Sequence, residues 1–88
     1  MANDKLTVGD WVVSFDFPFR RDCYIEGKVL EVKPDGRIII AVSRQVFAGS
    51  EVYGVAGPVV SAPEFGWLDG RRMVFLKGTE GDFDTSPV

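Results

Sequence analysis

Carboxylates are the side chains of this sequence that first suggest acid–base chemistry. The chain has thirteen Asp and Glu residues and no histidine, so the commonest general base and the commonest metal ligand are both absent. Two pairs could supply a general acid and a general base: Asp16 with Asp22, and Glu26 with Glu31. Nothing in their spacing predicts the raised pKa that this role needs, and solvated surface positions account for them. We therefore predict no catalytic residue and no enzymatic activity.

The single cysteine, Cys23, narrows the chemistry further. One cysteine cannot form an intrachain disulfide, and without histidine it cannot build a zinc site. Its place inside a predicted strand favours a small buried side chain over a reactive thiol. The sequence predicts no metal site and no cofactor.

Aromatic residues suggest two kinds of binding site. The four that could wall a cage for a cationic ligand are Trp11, Tyr24, Phe47 and Tyr53. Glu26 or Asp22 would supply the counter-charge. With Arg37 and Arg44, the same aromatic residues could instead form a nucleic-acid platform. A domain of this size needs its aromatic residues for burial, which favours core positions, and the net charge of −3 opposes nucleic-acid binding.

A loop predicted from Ala62 to Arg72 carries Phe65 and Trp67, two bulky side chains among Gly and Pro residues. If they are exposed, they form an apolar patch of the kind that marks interfaces. The alternative is that Trp67 folds back and plugs one end of the domain. The predicted interaction surface consists of Phe65, Trp67, Phe47 and Tyr53. We expect a protein partner or self-association, through this surface or through an open strand edge.

Length and composition indicate one small domain. With 88 residues, 45% of them hydrophobic, the chain is long enough for a single modest core. No apolar run reaches the length of a membrane span, and the first ten residues lack a signal-peptide core. We expect a cytoplasmic protein with no membrane contact. Residues 1–7 are expected to be a flexible lead, 8–77 the β domain and 78–88 a disordered tail.

The strongest structural signal is a hairpin between two apolar runs, joined by residues 33–37 (KPDGR). Pro34 sets φ for a type I turn, Asp35 can accept a bond from its own downstream backbone, and Gly36 can take a positive φ. A change of apolar phase in the strand before this turn predicts a bulge or a sharp bend, which Gly27 would permit. The predicted strands are 10–16, 23–33, 37–44, a split fourth strand at 52–55 and 59–61, and 72–77. The first is expected to be half-buried, because apolar and polar residues alternate along it. In the last, Met73 and Val74 are expected to face opposite sides.

Two resemblances follow from these segments. Residues 8–13 (VGDWVV) and 26–32 (EGKVLEV) resemble the opening of Tudor- and KOW-type SH3-like barrels, over about residues 8–45. Residues 13–17, 23–29 and 44–49 resemble small uncharacterised proteins of bacteriophages and other mobile genetic elements. The second resemblance implies a mobile-element context and no particular activity.

The resulting prediction is an all-β protein, a small antiparallel five-stranded SH3-like barrel. Its predicted function is that of a non-enzymatic binding or assembly module that acts through protein–protein interaction. A nucleic-acid-binding barrel is the first alternative, and a small histidine-free enzyme is the second.

Overall fold

The strands of this chain form one antiparallel sheet. The structure, a computed structural model, describes residues 5–15, 20–54, 57–66 and 69–86. Within these ranges the six strands are β1 (Trp11–Phe15), β2 (Tyr24–Val32), β3 (Arg37–Phe47), β4 (Ser50–Val52), β5 (Val59–Pro63) and β6 (Val74–Leu76). Their hydrogen-bonded order is β4-β3-β2-β1-β6, and β5 also pairs with β3. The all-β prediction is confirmed.

The sheet is not closed into a barrel, so the predicted five-stranded SH3-like barrel is not confirmed. β4 pairs with residues 45–47 of β3 and β5 pairs with residues 37–41, so the predicted split strand becomes two strands. Gly54, Gly57 and Pro58 lie between β4 and β5. A proline cannot continue a β ladder, so the two strands are separate. Beyond β5, an isolated bridge joins Phe65 to Arg72 and does not extend into a ladder.

The β2–β3 hairpin has the predicted turn. Gly36 has a φ of +93°, and its N–H donates to the Lys33 carbonyl at 3.1 Å. Asp35 accepts a bond from the N–H of Arg37 at 3.2 Å. The predicted roles of Gly36 and Asp35 are confirmed, because each residue has the role that its type favours.

The predicted phase change in β2 is confirmed, and the β2–β3 ladder has two register shifts, one of which lies at Gly27. A register shift leaves Leu30 as the extra residue of β2, and its side chain is exposed. A second shift at Gly27 has its extra residue, Ser43, on β3. Gly27 is required for another reason: a Cβ there would collide with the backbone carbonyl of Ala41.

The sheet is buried on both faces around β1 and β6. The first cluster consists of Leu6, Val12, Val29, Ile38, Ile40 and Val74. The second cluster consists of Val13, Phe15, Met73, Phe75 and Phe83. Alternate residues of a strand point to opposite faces, so Val12 and Val13 enter different clusters. The predicted half-buried first strand is therefore wrong, whereas the predicted opposite facing of Met73 and Val74 is confirmed.

Both predicted chain ends need correction where the structure describes them. Leu6, in the expected flexible lead, is buried in the first cluster. Phe83, in the expected disordered tail, is 1% exposed in the second cluster, just after a 3-10 helix at Glu80–Asp82. A sheet with two apolar faces needs cover on both, and these residues provide part of it.

Candidate functional site

A buried carboxylate lies in the middle of the sheet. Glu26 is on β2, opposite Val13 of β1 and Arg44 of β3. It is only 8% exposed, which is uncommon for a glutamate unless it is paired. Because the strand positions fix its side chain on the same face as Val13, it adjoins the second cluster.

Two hydrogen-bond donors and one further cation surround the Glu26 carboxylate. Trp11 Nε1 donates to Oε1 at 3.3 Å, and Lys77 Nζ donates to Oε2 at 2.8 Å. A guanidinium nitrogen of Arg44 lies 4.0 Å from Oε2. The group is therefore buried with both of its oxygens occupied, as a charge inside a protein must be.

Strand pairing explains why Lys77 reaches this carboxylate. The N–H of Lys77 donates to the carbonyl of Trp11 at 2.8 Å, one residue beyond the end of β6. This bond continues the β1–β6 pairing, so Lys77 lies beside Trp11. Arg44 is the direct cross-strand neighbour of Glu26. Strand pairing thus positions all three side chains, those of Trp11, Lys77 and Arg44, around Glu26.

These partners keep Glu26 ionised. Desolvation raises the pKa of Glu26, but the bonds from Lys77 and Trp11 and the charges of Lys77 and Arg44 outweigh it, so the pKa lies below its ordinary value. The bond to Glu26 raises the pKa of Lys77. A carboxylate with a lowered pKa is a poor general acid at neutral pH, and its oxygens already accept bonds.

The network extends toward β4. Arg44 Nε donates to Glu51 at 2.9 Å, and the Tyr53 hydroxyl donates to the other oxygen of Glu51 at 2.7 Å. The bond from Tyr53, followed by the bond and the charge from Arg44, lowers the pKa of Glu51 despite some desolvation. On the opposite side, Lys77 also lies 3.8 Å from Glu80.

We call this surface the Glu26 face: Trp11, Arg44, Glu51, Tyr53 and Lys77 arranged around the buried Glu26. Tyr53 is 81% exposed and Trp11 39% exposed. The side chains of Arg44 and Lys77 are each about half exposed. The Glu26 face therefore presents aromatic and charged groups to solvent, held in place by hydrogen bonds from beneath.

The structure divides the interaction surface predicted from the sequence. Phe47, Tyr53 and Phe65 are all exposed, and Trp67 lies outside the described residues. By alternation along the β3–β4 hairpin, Phe47 points to the face opposite Val46 and Glu51, whereas Tyr53 bonds to Glu51. Phe65 follows β5, whose last residue pairs with the far end of β3. The three residues do not form one patch.

The proposed cation cage is assembled only in part. Trp11 and Glu26 meet, but the cations beside them are Lys77 and Arg44 of the chain itself. Tyr24 instead packs edge-on against Phe15 at 5.9 Å, as part of the second cluster.

The proposed carboxylate pairs are not assembled either. Glu31 lies opposite Ile39 at the far end of β2, away from Glu26. Asp16 lies outside the described residues. Asp22 is held by Arg20 at 2.7 Å and accepts a weak bond from the thiol of Cys23, which is buried as predicted.

All six arginine side chains bind acceptors within the chain itself. Five of them pair with carboxylates at 2.7–2.9 Å: Arg20 with Asp22, Arg37 with Asp35, Arg44 with Glu51, Arg71 with Asp69 and Arg72 with Glu64. Arg21 donates to three backbone carbonyls. No continuous free basic stripe therefore remains among the described residues.

Sequence reasoning missed Lys77 and the Arg44–Glu51 pair. The pair depends on a two-residue hairpin turn at Ala48 and Gly49, which both have positive φ. Of these two residues, only Gly49 is of a type that indicates such a turn. Reading that turn would have placed Glu51 opposite Val46, next to Arg44. Lys77 had no such signal, since 51 residues separate it from Glu26.

No protein-family model, curated protein or solved structure matches this chain. The resemblances to SH3-like barrels and to mobile-element proteins therefore stay predictions. Within the described ranges, no cluster of three or more Cys, Asp or Glu side chains is arranged to hold a metal ion. The same part of the chain contains no helix long and apolar enough to cross a membrane.

Proposed function

We propose that this chain is a non-enzymatic protein-binding module and that the Glu26 face is its binding surface. The observation that carries the proposal is the grouping of Trp11, Arg44 and Tyr53 on one face of a sheet. Tryptophan, tyrosine and arginine are the residue types most enriched among side chains that dominate binding energy.

The internal bonds of this surface support the proposal. Arg44 is held by Glu51 and Glu26, and Tyr53 and Trp11 each donate to one of these carboxylates. Side chains that are already ordered lose less conformational entropy when a partner binds. The side chains of the Glu26 face are therefore already ordered before a partner binds.

The exposed charges indicate the kind of partner. Arg44 is paired with Glu51, and Lys77 lies 3.8 Å from Glu80, so both signs of charge are present. Such a mixed surface fits a protein surface with both signs of charge better than a polyanion, which would be repelled by the carboxylates. The nucleic-acid alternative has no observation of this kind in its favour.

The test is quantitative affinity capture with tagged wild type, Tyr53→Ala and Phe47→Ala from a lysate of the source cells. Tyr53 and Phe47 are both exposed aromatic residues of the β3–β4 hairpin, but only Tyr53 belongs to the Glu26 face. We expect a partner that wild type and Phe47→Ala retain equally and that Tyr53→Ala loses at least about tenfold, which is the loss of one strong anchor.

Two results would contradict this proposal. One is a partner whose capture depends on Phe47 and not on Tyr53. The other is the absence of any partner enriched by wild type over the Tyr53→Ala variant. Thermal melts of the three proteins check that each variant is folded.

A further inference from the structure

The segment that follows β6 is attached to the sheet through one aromatic anchor. Phe83 stacks on Phe15 with ring centroids 4.0 Å apart and an interplanar angle of 1°, and its ring meets Phe75 edge-on at 6.2 Å. Val13 and Met73 complete the surroundings. We call the site formed by these four residues of the sheet side the Phe83 groove.

Arginine side chains hold the backbone of this segment. Arg21 donates to the carbonyls of Glu80, Gly81 and Phe83, at 3.4, 3.1 and 2.6 Å. Arg71 donates to the carbonyl of Asp84. Residues 79–86 belong to no β ladder among the described residues. The segment is thus bound much as a separate peptide would be, by one side-chain anchor and by clamps on its carbonyls.

An open pocket of about 400 Å³ lies where the segment leaves β6. Its lining residues are Arg71, Arg72, Phe75, Leu76, Thr79, Asp82 and Asp84. Atoms that line an open pocket have fewer packing partners. Phe83 and the arginine clamps are therefore the main contacts that attach the segment.

The connection between β6 and this segment is a tight turn. Gly78 has a φ of +102°, and both the N–H and the hydroxyl of Thr79 donate to the carbonyl of Leu76, at 2.9 and 2.8 Å. A positive φ of this size favours glycine strongly. Extending the turn would separate the segment from its own groove without breaking any strand pair.

We infer that the Phe83 groove also accepts the same segment from a second copy of the chain, giving a dimer in which two copies exchange residues 79–86. The occupant is argued from the groove itself, which fits this segment and would make the same ring stacking and carbonyl bonds to it in either copy. The opposite charges of Arg71 and Asp84 attract each other and would do so in both arrangements. Exchange of an identical element is a low-cost route to a dimer. The Phe83 groove adjoins the Glu26 face, since Val13 lies opposite Glu26, but the inference does not depend on the proposed function.

The first test changes the hinge. Sedimentation equilibrium compares wild type with Gly78→Ala, which strains the closed turn, and with Gly9→Ala as the matched control. Gly9 has a similar φ of +95°, and a Cβ at either glycine meets no atom within 4 Å. Because the exchanged dimer releases the strain at position 78, we expect Gly78→Ala to lower the dimer dissociation constant about tenfold or more. Gly9→Ala should leave it unchanged.

The inference is overturned if Gly78→Ala stays monomeric at millimolar concentration, or if Gly9→Ala promotes the dimer equally. In the second case the dimer arises elsewhere in the molecule.

The second test does not depend on the hinge, and it remains informative if Gly78→Ala does not fold. Full-length Phe83→Ala is titrated with a synthetic peptide of residues 77–86, and thermal unfolding is followed. We expect the peptide to raise the melting temperature of a folded variant or to restore cooperative unfolding to an unfolded one. The same peptide with Ala in place of its Phe should do neither. If the Phe peptide has no effect, the groove does not accept the segment from another molecule and the inference is wrong.

Discussion

Val12 and Val13, neighbours on β1, are both buried but lie in two different hydrophobic clusters on opposite faces of the sheet. The same holds for Val74 and Phe75 on β6. These two strands are covered on both sides, by Leu6 with the β3 and β5 side chains on one face and by Phe83 on the other. The fold is a sheet between two small cores rather than a barrel around one.

This relationship predicts that Val12 and Val13 contribute equally to the free energy of unfolding. Val12→Ala and Val13→Ala should each lower the free energy of unfolding by about 2 kcal/mol, from lost burial and the cavity left behind. Chemical denaturation measures the effect, with Val8→Ala as the exposed control. A Val12→Ala variant as stable as the control would mean that the first cluster is absent in solution.

Glu26 predicts a specific dependence of stability on pH. Its folded-state pKa lies below the ordinary value of 4.5, so its contribution is present above about pH 4.5 and is lost as the pH falls through the folded-state pKa. Glu26→Gln should lower stability by about 1–2 kcal/mol at pH 7, because a charge-assisted bond is lost. Below pH 4 the difference between the two proteins should shrink.

Denaturant midpoints of wild type, Glu26→Gln and the exposed control Glu31→Gln, measured from pH 7 to pH 3, test this prediction. A gap between wild type and Glu26→Gln that stays constant over this range would show that the Glu26 charge does not contribute.

Gly36 is predicted to be required for its backbone conformation alone. Its φ is +93° and a Cβ would meet no atom within 4 Å. Gly36→Val should therefore cost about 1–2 kcal/mol through backbone strain. Gly81→Ala is the control, since Gly81 is exposed and has equally open surroundings without a positive φ. An unchanged denaturant midpoint for Gly36→Val would contradict the turn.

Gly27 is predicted to be required because no Cβ fits at its position between β2 and β3. A Cβ there would meet the Ala41 carbonyl and lie 3.0 Å from a methyl group of Ile40. β2 and β3 would have to separate at the centre of the sheet, so Gly27→Ala should cost about 3 kcal/mol or more. The same denaturation series measures it, and a cost below that of Gly36→Val would show that the two strands separate easily.

The features that could be predicted from the sequence are those that depend on residues close together in the chain. The β2–β3 turn was predictable because Pro34, Asp35 and Gly36 act within five residues of chain. The facing of Met73 and Val74 was predictable because alternation is a local property of a strand. Exposure of Phe47, Tyr53 and Phe65 also agrees with the surface predicted from the sequence, although their grouping does not.

The remaining features depend on contacts between distant segments. Whether Val12 is buried depends on Leu6 and Val74, and whether Glu26 is paired depends on Lys77, 51 residues away. Closure into a barrel depends on which strands meet last, and no residue type specifies that. The tail was misjudged because its polar composition outweighed one phenylalanine, although Phe83 alone completes the second cluster.

The chain is predicted not to bind duplex DNA or RNA with useful affinity at physiological salt. Its net charge is −3, and five of its six arginines are already paired with carboxylates. Phosphates would have to displace these partners, which offsets the gain from releasing counterions. Fluorescence anisotropy with labelled duplexes at about 50 and 150 mM salt should show no saturable binding at the higher concentration. Asp35→Asn removes the carboxylate partner of the half-exposed Arg37 and one negative charge, so this variant should bind more tightly than wild type at low salt. Tight binding by the wild type that weakens steeply with salt would instead show that the arginine pairs open readily, and would make the nucleic-acid alternative the better one.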